Sequence, residues 1–213
     1  MTSHHFDGFV LLPPAACGDV AKAVRGGAEA VGLIDGLFET APAVWHKELL
    51  WALSKGATLL GSSSMGALRA AEMWPFGMKG VGVVYRLYRS GAIIDDDEVA
   101  LLHGPPEAGC VPLSEAMVNI RATLRRARRL QMITSEAERT IGRTAKSLHY
   151  KHRTLDRILQ LSSNQLALQD THELHRQLDG IRRDVKREDA ILLLSRLRNV
   201  PANRTTADPI DFP

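Results

Sequence analysis

The chain has 213 residues, of which 45% are apolar and 24% are charged. This composition is typical of a soluble globular protein and excludes collagen-like, disulfide-scaffold and wholly disordered chains. The formal net charge of +3 is unevenly distributed, because residues 1–110 carry 8 Lys/Arg and 12 Asp/Glu whereas residues 111–213 carry 19 and 12. The sequence therefore predicts two regions, an α/β core over 1–110 and a basic helical region over 111–213 that packs on the core.

The cysteine content and the hydropathy pattern indicate the compartment. The two cysteines, Cys17 and Cys110, do not form the paired pattern that zinc sites require. No apolar run approaches the ~20 residues of a membrane-spanning helix, and the first residues do not resemble a signal peptide. We expect a cytoplasmic protein without a cofactor, a metal ion or a membrane partner.

Strand and helix patterns alternate in the first region. Short apolar runs predict buried strands over 9–12, 30–34 and 57–61, and helical periodicity follows each run, over 19–27, 45–56 and 65–73. This alternation predicts a small parallel sheet with flanking helices. Ligands bind beyond the carboxyl ends of such strands, which is where Asp35 and residues 62–66 lie.

The second region is mostly helical in pattern. The glycine-punctuated stretch after Gly77 predicts a loop and then a short helix through Tyr85 and Tyr88. From Ser114 onward the pattern is helical nearly throughout, with Ser135 starting a capping box. The tail over 200–213 is expected to be loosely ordered. The predicted fold class is α/β, with a small parallel-type sheet followed by a mostly helical C-terminal half.

The segment GSSSMG at 61–66 is the strongest local signal for chemistry. Ser62-x-Ser64-x-Gly66 has the spacing of a nucleophile elbow, with serine in place of the first glycine. A hydroxyl at a helix N-terminus faces free amides, and those of Met65 and Gly66 could stabilise an oxyanion, with Ser63 supporting the turn. The alternative is a capped helix start or a phosphate-binding turn. The residues alone leave all three serines as candidate nucleophiles.

Lys47 is the candidate base for such a serine. It lies between Trp45 and Trp51 in the first turn of an apolar helix. If that surface is buried, desolvation would favour the neutral amine, which could serve a Ser-Lys pair. The alternative is a solvated lysine that pairs with Glu48.

Two other charged groups allow both a structural and a functional interpretation. Arg69 and Glu72 lie three residues apart and either pair with each other or leave Arg69 to bind a substrate carboxylate. The acidic run over 95–98 resembles a metal cluster. Because consecutive residues in a turn point in different directions, we predict a solvated acidic turn there instead.

One helix of the second region carries a stripe of arginines. Helical spacing places Arg121, Arg125, Arg128 and Arg129 along one face. The structural interpretation is a solvated face, and the functional one is a surface for an acidic protein or a nucleic acid. Since no aromatic residue is interleaved with the arginines, a protein partner is favoured over nucleic acid.

Several of these stretches together resemble the TfuA-like family. The matching segments cover about residues 9–130 and are PPAACGD, LIDGLFE, VWHKELLWAL, GSSSMGALRAAE, FGMKGVGVVYRLYRSG, DDDEVALLHG and LSEAMVNIRATL. The combination of GSSSMGALRAAE with WHKE and LIDG is far more specific than the elbow spacing alone. Two features depart from the family pattern: the chain starts just after the usual opening strand, and Cys17 stands where glutamine is common.

The resemblance implies a partner of YcaO-type enzymes, which replace a peptide backbone amide oxygen with sulfur. It implies release of sulfide by hydrolysis of the C-terminal thiocarboxylate of a ThiS-like carrier, with a serine–lysine pair that matches Ser64 and Lys47 here. Binding or structural support is expected from Asp35, His46, Arg69 and Glu72. The alternative is a non-catalytic accessory protein that docks a YcaO enzyme with its peptide substrate.

Overall fold

The computed structural model describes residues 4–6, 8–37, 39, 41–166 and 171–201. Internal packing divides the chain into two compact units: the residues up to Ile93 together with those from Arg187 form the first, and Ile94–Lys186 form the second. The change in composition near Cys110 therefore falls inside the second unit. Most of the tail over 200–213 lies outside the described residues.

A short antiparallel hairpin comes first along the chain. Strand β1 (His4–Phe6) pairs with strand β2 (Phe9–Leu11), and Gly8 has a φ of 84° in the turn between them. Val10 is 56% exposed. The strand predicted over 9–12 is confirmed at Phe9–Leu11, but its predicted burial is wrong. A short apolar run does not reveal its partner, and here the partner is a local strand across the glycine turn.

The sheet of the first unit consists, in the described part of the chain, of three parallel strands. They are β3 (Ala30–Leu33), β4 (Thr58–Ser62) and β5 (Lys79–Val81), with β4 in the centre. The accompanying helices are α1 (Asp19–Arg25), α2 (His46–Ser54), α3 (Met65–Met73) and α4 (Gly82–Arg89). The α/β class and the strands predicted over 30–34 and 57–61 are confirmed. Strand β5 lies where the sequence predicts a loop, since three residues around a glycine carry no strand signal.

The helical period of the segment over 45–56 predicts one apolar face that includes Trp45, Leu49 and Leu53, but helix α2 buries only part of it. Leu49 and Ala52 are buried in the core, whereas Trp45 is 59% exposed. Trp45 is the N-cap residue, and its amide donates to the Glu48 carboxylate at 2.9 Å. Because the cap precedes the first helical turn, the helical period does not carry Trp45 into the core.

The second unit is built from helices. They are α5 (Met117–Arg129), α6 (Ser135–Ser147), α7 (Leu155–Leu166), α8 (Thr171–Gly180) and the first residues of α9 (Val185–Arg198). Their core includes Met117, Ile120, Leu124, Ile141, Ile158, Leu159 and Leu178. The helical C-terminal half is thus confirmed, and α6 is capped by Thr134, one residue before the predicted cap. No helix in the described ranges is both long and apolar enough to cross a membrane.

Three carboxylates of the second unit converge on one lysine. Asp95, Asp97 and Glu98 place oxygen atoms within 4.8 Å of one another. Lys146 Nζ lies 3.0 Å from Asp95 and 3.3 Å from Glu98 and also pairs with Asp97. The prediction of a solvated turn with diverging side chains is wrong, because a 3₁₀ turn (Asp96–Glu98) brings residues three apart to one side and Glu98 is buried. The lysine ammonium lies among the carboxylates, and Arg121, which pairs with Glu98, and Arg153, which pairs with Asp97, supply the other two positive charges.

Asp97 makes the stability of the second unit depend on pH. Although desolvation by burial raises the pKa of Asp97, hydrogen bonds and charge from Lys146 and Arg153 outweigh it and hold that pKa below its ordinary value of 3.8. Such a carboxylate stabilises the fold above its ordinary pKa, and this contribution is lost as the pH falls through the folded-state pKa.

We expect Asp97→Asn to lower the free energy of unfolding by about 1–3 kcal/mol at neutral pH. The difference from wild type should narrow as the pH falls below about 4, because the wild-type carboxyl then becomes protonated. Urea unfolding of both proteins at a series of pH values measures this difference. A difference that stays constant into strong acid would contradict the role of the Asp97 charge.

Candidate functional site

The candidate site is the turn between β4 and α3, which we call the serine turn (residues 62–64). Strand β4 ends at Ser62, and helix α3 begins at Met65. All three serines are buried. The turn lies beyond the carboxyl end of the central strand of the parallel sheet, the position at which ligands bind in open α/β folds.

Ser63 carries the backbone strain of the serine turn. Its φ of +68° is in the left-handed region, which costs a residue other than glycine about 1–2 kcal/mol. The amide of Ser64 donates to the carbonyl oxygens of Ser62 (2.8 Å) and Ile34 (3.2 Å), and these bonds hold the turn. In a nucleophile elbow the strained residue is the nucleophile itself, whereas here Ser63 has the positive φ and Ser64, at the nucleophile position of the motif, has a φ of −121°.

Two glycines allow α3 to start directly against the sheet. A Cβ atom at Gly66 would lie 1.9 Å from the carbonyl oxygen of Leu33, and one at Gly61 would lie 2.1 Å from the carbonyl oxygen of Gly66. Backbone atoms packed in a core cannot move aside easily, so no larger residue fits at either position. The glycines of GSSSMG therefore serve close packing, which fixes the position of the serine turn.

The three serine hydroxyls have different environments. Ser62 Oγ donates to the Asp189 carbonyl oxygen at 2.9 Å. Within the described residues, the hydroxyls of Ser63 and Ser64 have no hydrogen-bond partner and are not fully enclosed. Ser64 is the N-cap residue of α3 but accepts no capping amide. The interpretation of the turn as a capped helix start is thus not supported, and Ser63 and Ser64 are the two serines whose hydroxyls have no partner among the described residues.

One of the two amides predicted to hold an oxyanion is already engaged. Gly66 N–H donates to the Ile34 carbonyl oxygen at 3.2 Å. The amide of Met65 lies at the first position of α3, where the helix dipole is positive, and has no acceptor in the described part of the chain. Met65 is therefore the available donor, and Gly66 contributes through close packing.

Asp189 supports the serine turn from helix α9. Its buried carboxylate accepts the amides of Val83 (2.8 Å) and Val84 (2.7 Å) at the start of α4, and its own carbonyl holds Ser62. Desolvation by burial raises the pKa of Asp189, and the two amides act in the opposite direction. A Cβ atom at Gly82 would lie 2.1 Å from the Asp189 carboxyl carbon, so this close approach requires glycine. The role of Asp189 is not evident from the sequence, because its neighbours Arg187 and Glu188 are typical of a solvated helix surface.

Lys47 forms no hydrogen bond with the serine turn in the described part of the chain. Its side chain is exposed, and no described residue forms a hydrogen bond or an ion pair with it. The Glu48 carboxylate, its alternative partner, accepts the backbone amides of Trp45 and Gly18 instead. The burial on which the lysine base was predicted to depend is thus not observed, because α2 turns its Leu49 side into the core.

His46, Arg69 and Glu72 form one hydrogen-bonded cluster. Glu72 Oε2 lies 2.9 Å from His46 Nε2 and 2.6 Å from Arg69 Nη1. Arg69 Nε also donates to the Val44 carbonyl oxygen at 2.8 Å. Of the two interpretations of Arg69, the structure shows the pairing one, since the guanidinium ties α3 to the segment that leads into α2.

Asp35 lies at the same edge of the sheet as the serine turn. Its Oδ1 accepts the Gly36 amide at 3.0 Å, and its carbonyl accepts the Ala15 amide at 3.1 Å. The neighbouring carbonyl of Ile34 holds the amides of Ser64 and Gly66. Asp35 therefore orders the loop after β3, next to the serine turn.

The predicted arginine stripe is only partly free. Arg121 donates two hydrogen bonds to Glu98, at 2.9 and 3.0 Å, and Arg128 pairs with a glutamate of α6. Arg129 Nε contacts the backbone carbonyl of Arg125 at 3.4 Å. The side chain of Arg125 has no partner in the described part of the chain. Two of the four arginines thus serve internal ion pairs.

Comparison with protein families matches residues 35–154 to TfuA-like protein. The match covers more than half of the chain and includes α2, the serine turn and α3. No curated protein matches the chain. The chain belongs to the TfuA-like family, which is associated with peptide thioamidation by YcaO enzymes.

Proposed function

We propose that this protein hydrolyses the thiocarboxylated C-terminus of a ThiS-like carrier and supplies the released sulfide to a YcaO-type enzyme. The observation that carries the proposal is the serine turn, where a strained residue between a strand and a helix leaves two hydroxyls without a partner among the described residues. A hydroxyl in this position suits nucleophilic attack on an acyl carbon. Family membership supports the setting in sulfur transfer.

Ser64 is the proposed nucleophile and Lys47 the proposed base. When the bound carrier desolvates Lys47, its amine takes the hydroxyl proton while Ser64 Oγ bonds to the carbonyl carbon of the thiocarboxylate. The carbon–sulfur bond then breaks, Lys47 returns the proton to sulfur, and hydrosulfide leaves. Water hydrolyses the acyl-serine, which yields the carrier carboxylate and restores the hydroxyl. Since Lys47 is exposed and unpaired with any described residue, it must approach Ser64 when the carrier binds.

The residues around the turn have supporting roles in this proposal. The Met65 amide is the oxyanion donor, because it is free at the N-terminus of α3. Asp35 orders the neighbouring loop. His46 and Glu72, with Arg69, hold α2 and α3 together and do not react.

Lys47→Ala tests the proposed base. We expect this change to slow sulfide release from the thiocarboxylated carrier by about 10²–10⁴-fold, because a general base is lost. Hydrosulfide is measured after mixing carrier and protein. Lys55→Ala, at an exposed lysine just after the same helix, is the matched control and should release sulfide at the wild-type rate. Equal rates for the Lys47 variant and this control would remove Lys47 from the mechanism.

A non-catalytic role is the second candidate, and the exposure of Lys47 favours it. In this role the protein docks a YcaO enzyme with its peptide substrate, and the serine turn has no chemical function. The two candidates separate in one assay. Wild-type protein that releases no sulfide from the carrier, yet accelerates thioamidation by a YcaO enzyme given free sulfide, would establish the accessory role.

A further inference from the structure

Helices α5 and α6 of the second unit border a cleft of about 640 Å³. Its lining is strongly basic, with six cationic side chains and one acidic one. The cations are Arg121, Arg125, Arg128, Arg139, Arg143 and Lys146, and the carboxylate is Glu138. The cleft thus extends the predicted stripe from one helix to two facing helices.

The six cations fall into two groups. Arg121, Arg128 and Lys146 pair with carboxylates of the same unit. By contrast, Arg125, Arg139 and Arg143 have no carboxylate partner in the described ranges, and Arg143 makes only a 3.5 Å contact with the Thr140 hydroxyl. Guanidinium groups without internal partners bind carboxylates in a bidentate manner. The second group therefore gives the cleft its capacity to bind an anion.

Gly142 keeps the cleft open at a cost to its own helix. It lies in the interior of α6, where glycine is about 1 kcal/mol less favourable than alanine. A Cβ atom at this position would meet nothing within 4 Å, so packing does not require glycine. Because Gly142 lines the cleft, its missing side chain leaves room for a ligand.

We propose that the α5–α6 cleft binds an acidic segment of a partner protein. Carboxylates of the segment would pair with Arg125, Arg139 and Arg143, whose exposed positions suit a polypeptide laid across the surface. The lining part of α6 runs from Ser135 to Lys146, about 16 Å, which accommodates roughly five extended residues. None of the lining residues found in the described chain is aromatic, so nucleic-acid bases would lack a stacking surface. The proposal goes beyond catalysis and does not depend on the serine turn.

Fluorescence anisotropy with a labelled 12-residue oligoglutamate peptide and the full chain tests the proposal. We expect the wild type to bind the peptide and the triple variant R125A/R139A/R143A to bind it at least about tenfold more weakly. Arg126→Ala is the matched control, because Arg126 is an exposed arginine of α5 that does not line the cleft. It should change Kd less than about twofold.

Gly142→Leu separates binding from folding. Leucine is a better helix former than glycine, so the thermal stability of this variant should equal or exceed that of the wild type. Its side chain fills the cleft, and peptide binding should weaken at least about tenfold. Retained binding by Gly142→Leu, or equal weakening by Arg126→Ala, would overturn the proposal. Failure of the wild type to bind the peptide at low salt would also overturn it. So would tighter binding of 12-nucleotide oligothymidine than of the peptide, if the variants weakened that binding in the same way.

Discussion

We expect Ser64→Ala to slow sulfide release from a thiocarboxylated carrier by at least about 10³-fold, because loss of the nucleophile leaves only binding and oxyanion stabilisation. The fold should tolerate the change, since the Ser64 hydroxyl has no partner among the described residues and does not cap α3. Single-turnover measurement of hydrosulfide, with thermal unfolding of the same preparation, separates lost chemistry from lost structure.

Ser63→Gly is the matched control for the nucleophile. It removes the neighbouring hydroxyl and also relieves strain, because glycine adopts a φ of +68° freely. We expect the melting temperature to hold or rise and sulfide release to stay within about tenfold of wild type. If Ser63→Gly loses sulfide release while Ser64→Ala keeps it, the nucleophile is Ser63 and the assignment from motif spacing is wrong.

The features that the sequence predicts correctly are those set by near neighbours. The strands over 30–34 and 57–61 and the turn that follows the second are marked by apolar runs, glycines and serines only a few positions apart. The hairpin of β1 and β2 and the three-residue strand β5 are different, because a pairing partner decides them. Burial of Lys47 likewise depends on which face of α2 packs inward. The helical period includes the N-cap residue Trp45 in that face, whereas the buried residues are Leu49 and Ala52.

The roles of Asp189 and Lys146 are not evident from the sequence, because both depend on contacts between residues far apart in the chain. The Asp189 carboxylate accepts the amide of Val83, which lies 106 residues earlier in the chain. In the sequence Asp189 follows Arg187 and Glu188, a pattern that is typical of a solvated helix surface. Lys146 pairs with Asp97 although the two residues lie 49 positions apart. The acidic run over 95–98 therefore could not reveal by itself which cation pairs with it. Such pairs bring charges together through tertiary packing, which no local period encodes.

Arg153 is a fully buried charge on which the second unit depends. Its Nε donates to the Ala145 carbonyl (3.0 Å), Nη1 to the Asp97 carbonyl (3.0 Å), and Nη2 to the Leu148 carbonyl (3.0 Å) and the Asp97 carboxylate (2.7 Å). We expect Arg153→Met to lower the free energy of unfolding by about 3–5 kcal/mol, because these acceptors lose their donors in a buried setting. Urea unfolding measures the loss. Arg157→Met, at an exposed arginine of α7, is the matched control and should change stability by less than about 0.5 kcal/mol.

The Arg153 variants also report on charge as distinct from packing. Arg153→Lys keeps the positive charge but cannot reach four acceptors at once, so its stability should fall between wild type and Arg153→Met. In Arg153→Met, Asp97 retains Lys146 but loses its second cation, so the pKa of Asp97 should rise toward 3.8. The acid-induced loss of stability from this carboxyl would then be smaller than in the wild type and complete at a higher pH. An unchanged acid transition in a clearly destabilised Arg153→Met would mean that Arg153 acts through the three carbonyls and not through the Asp97 charge.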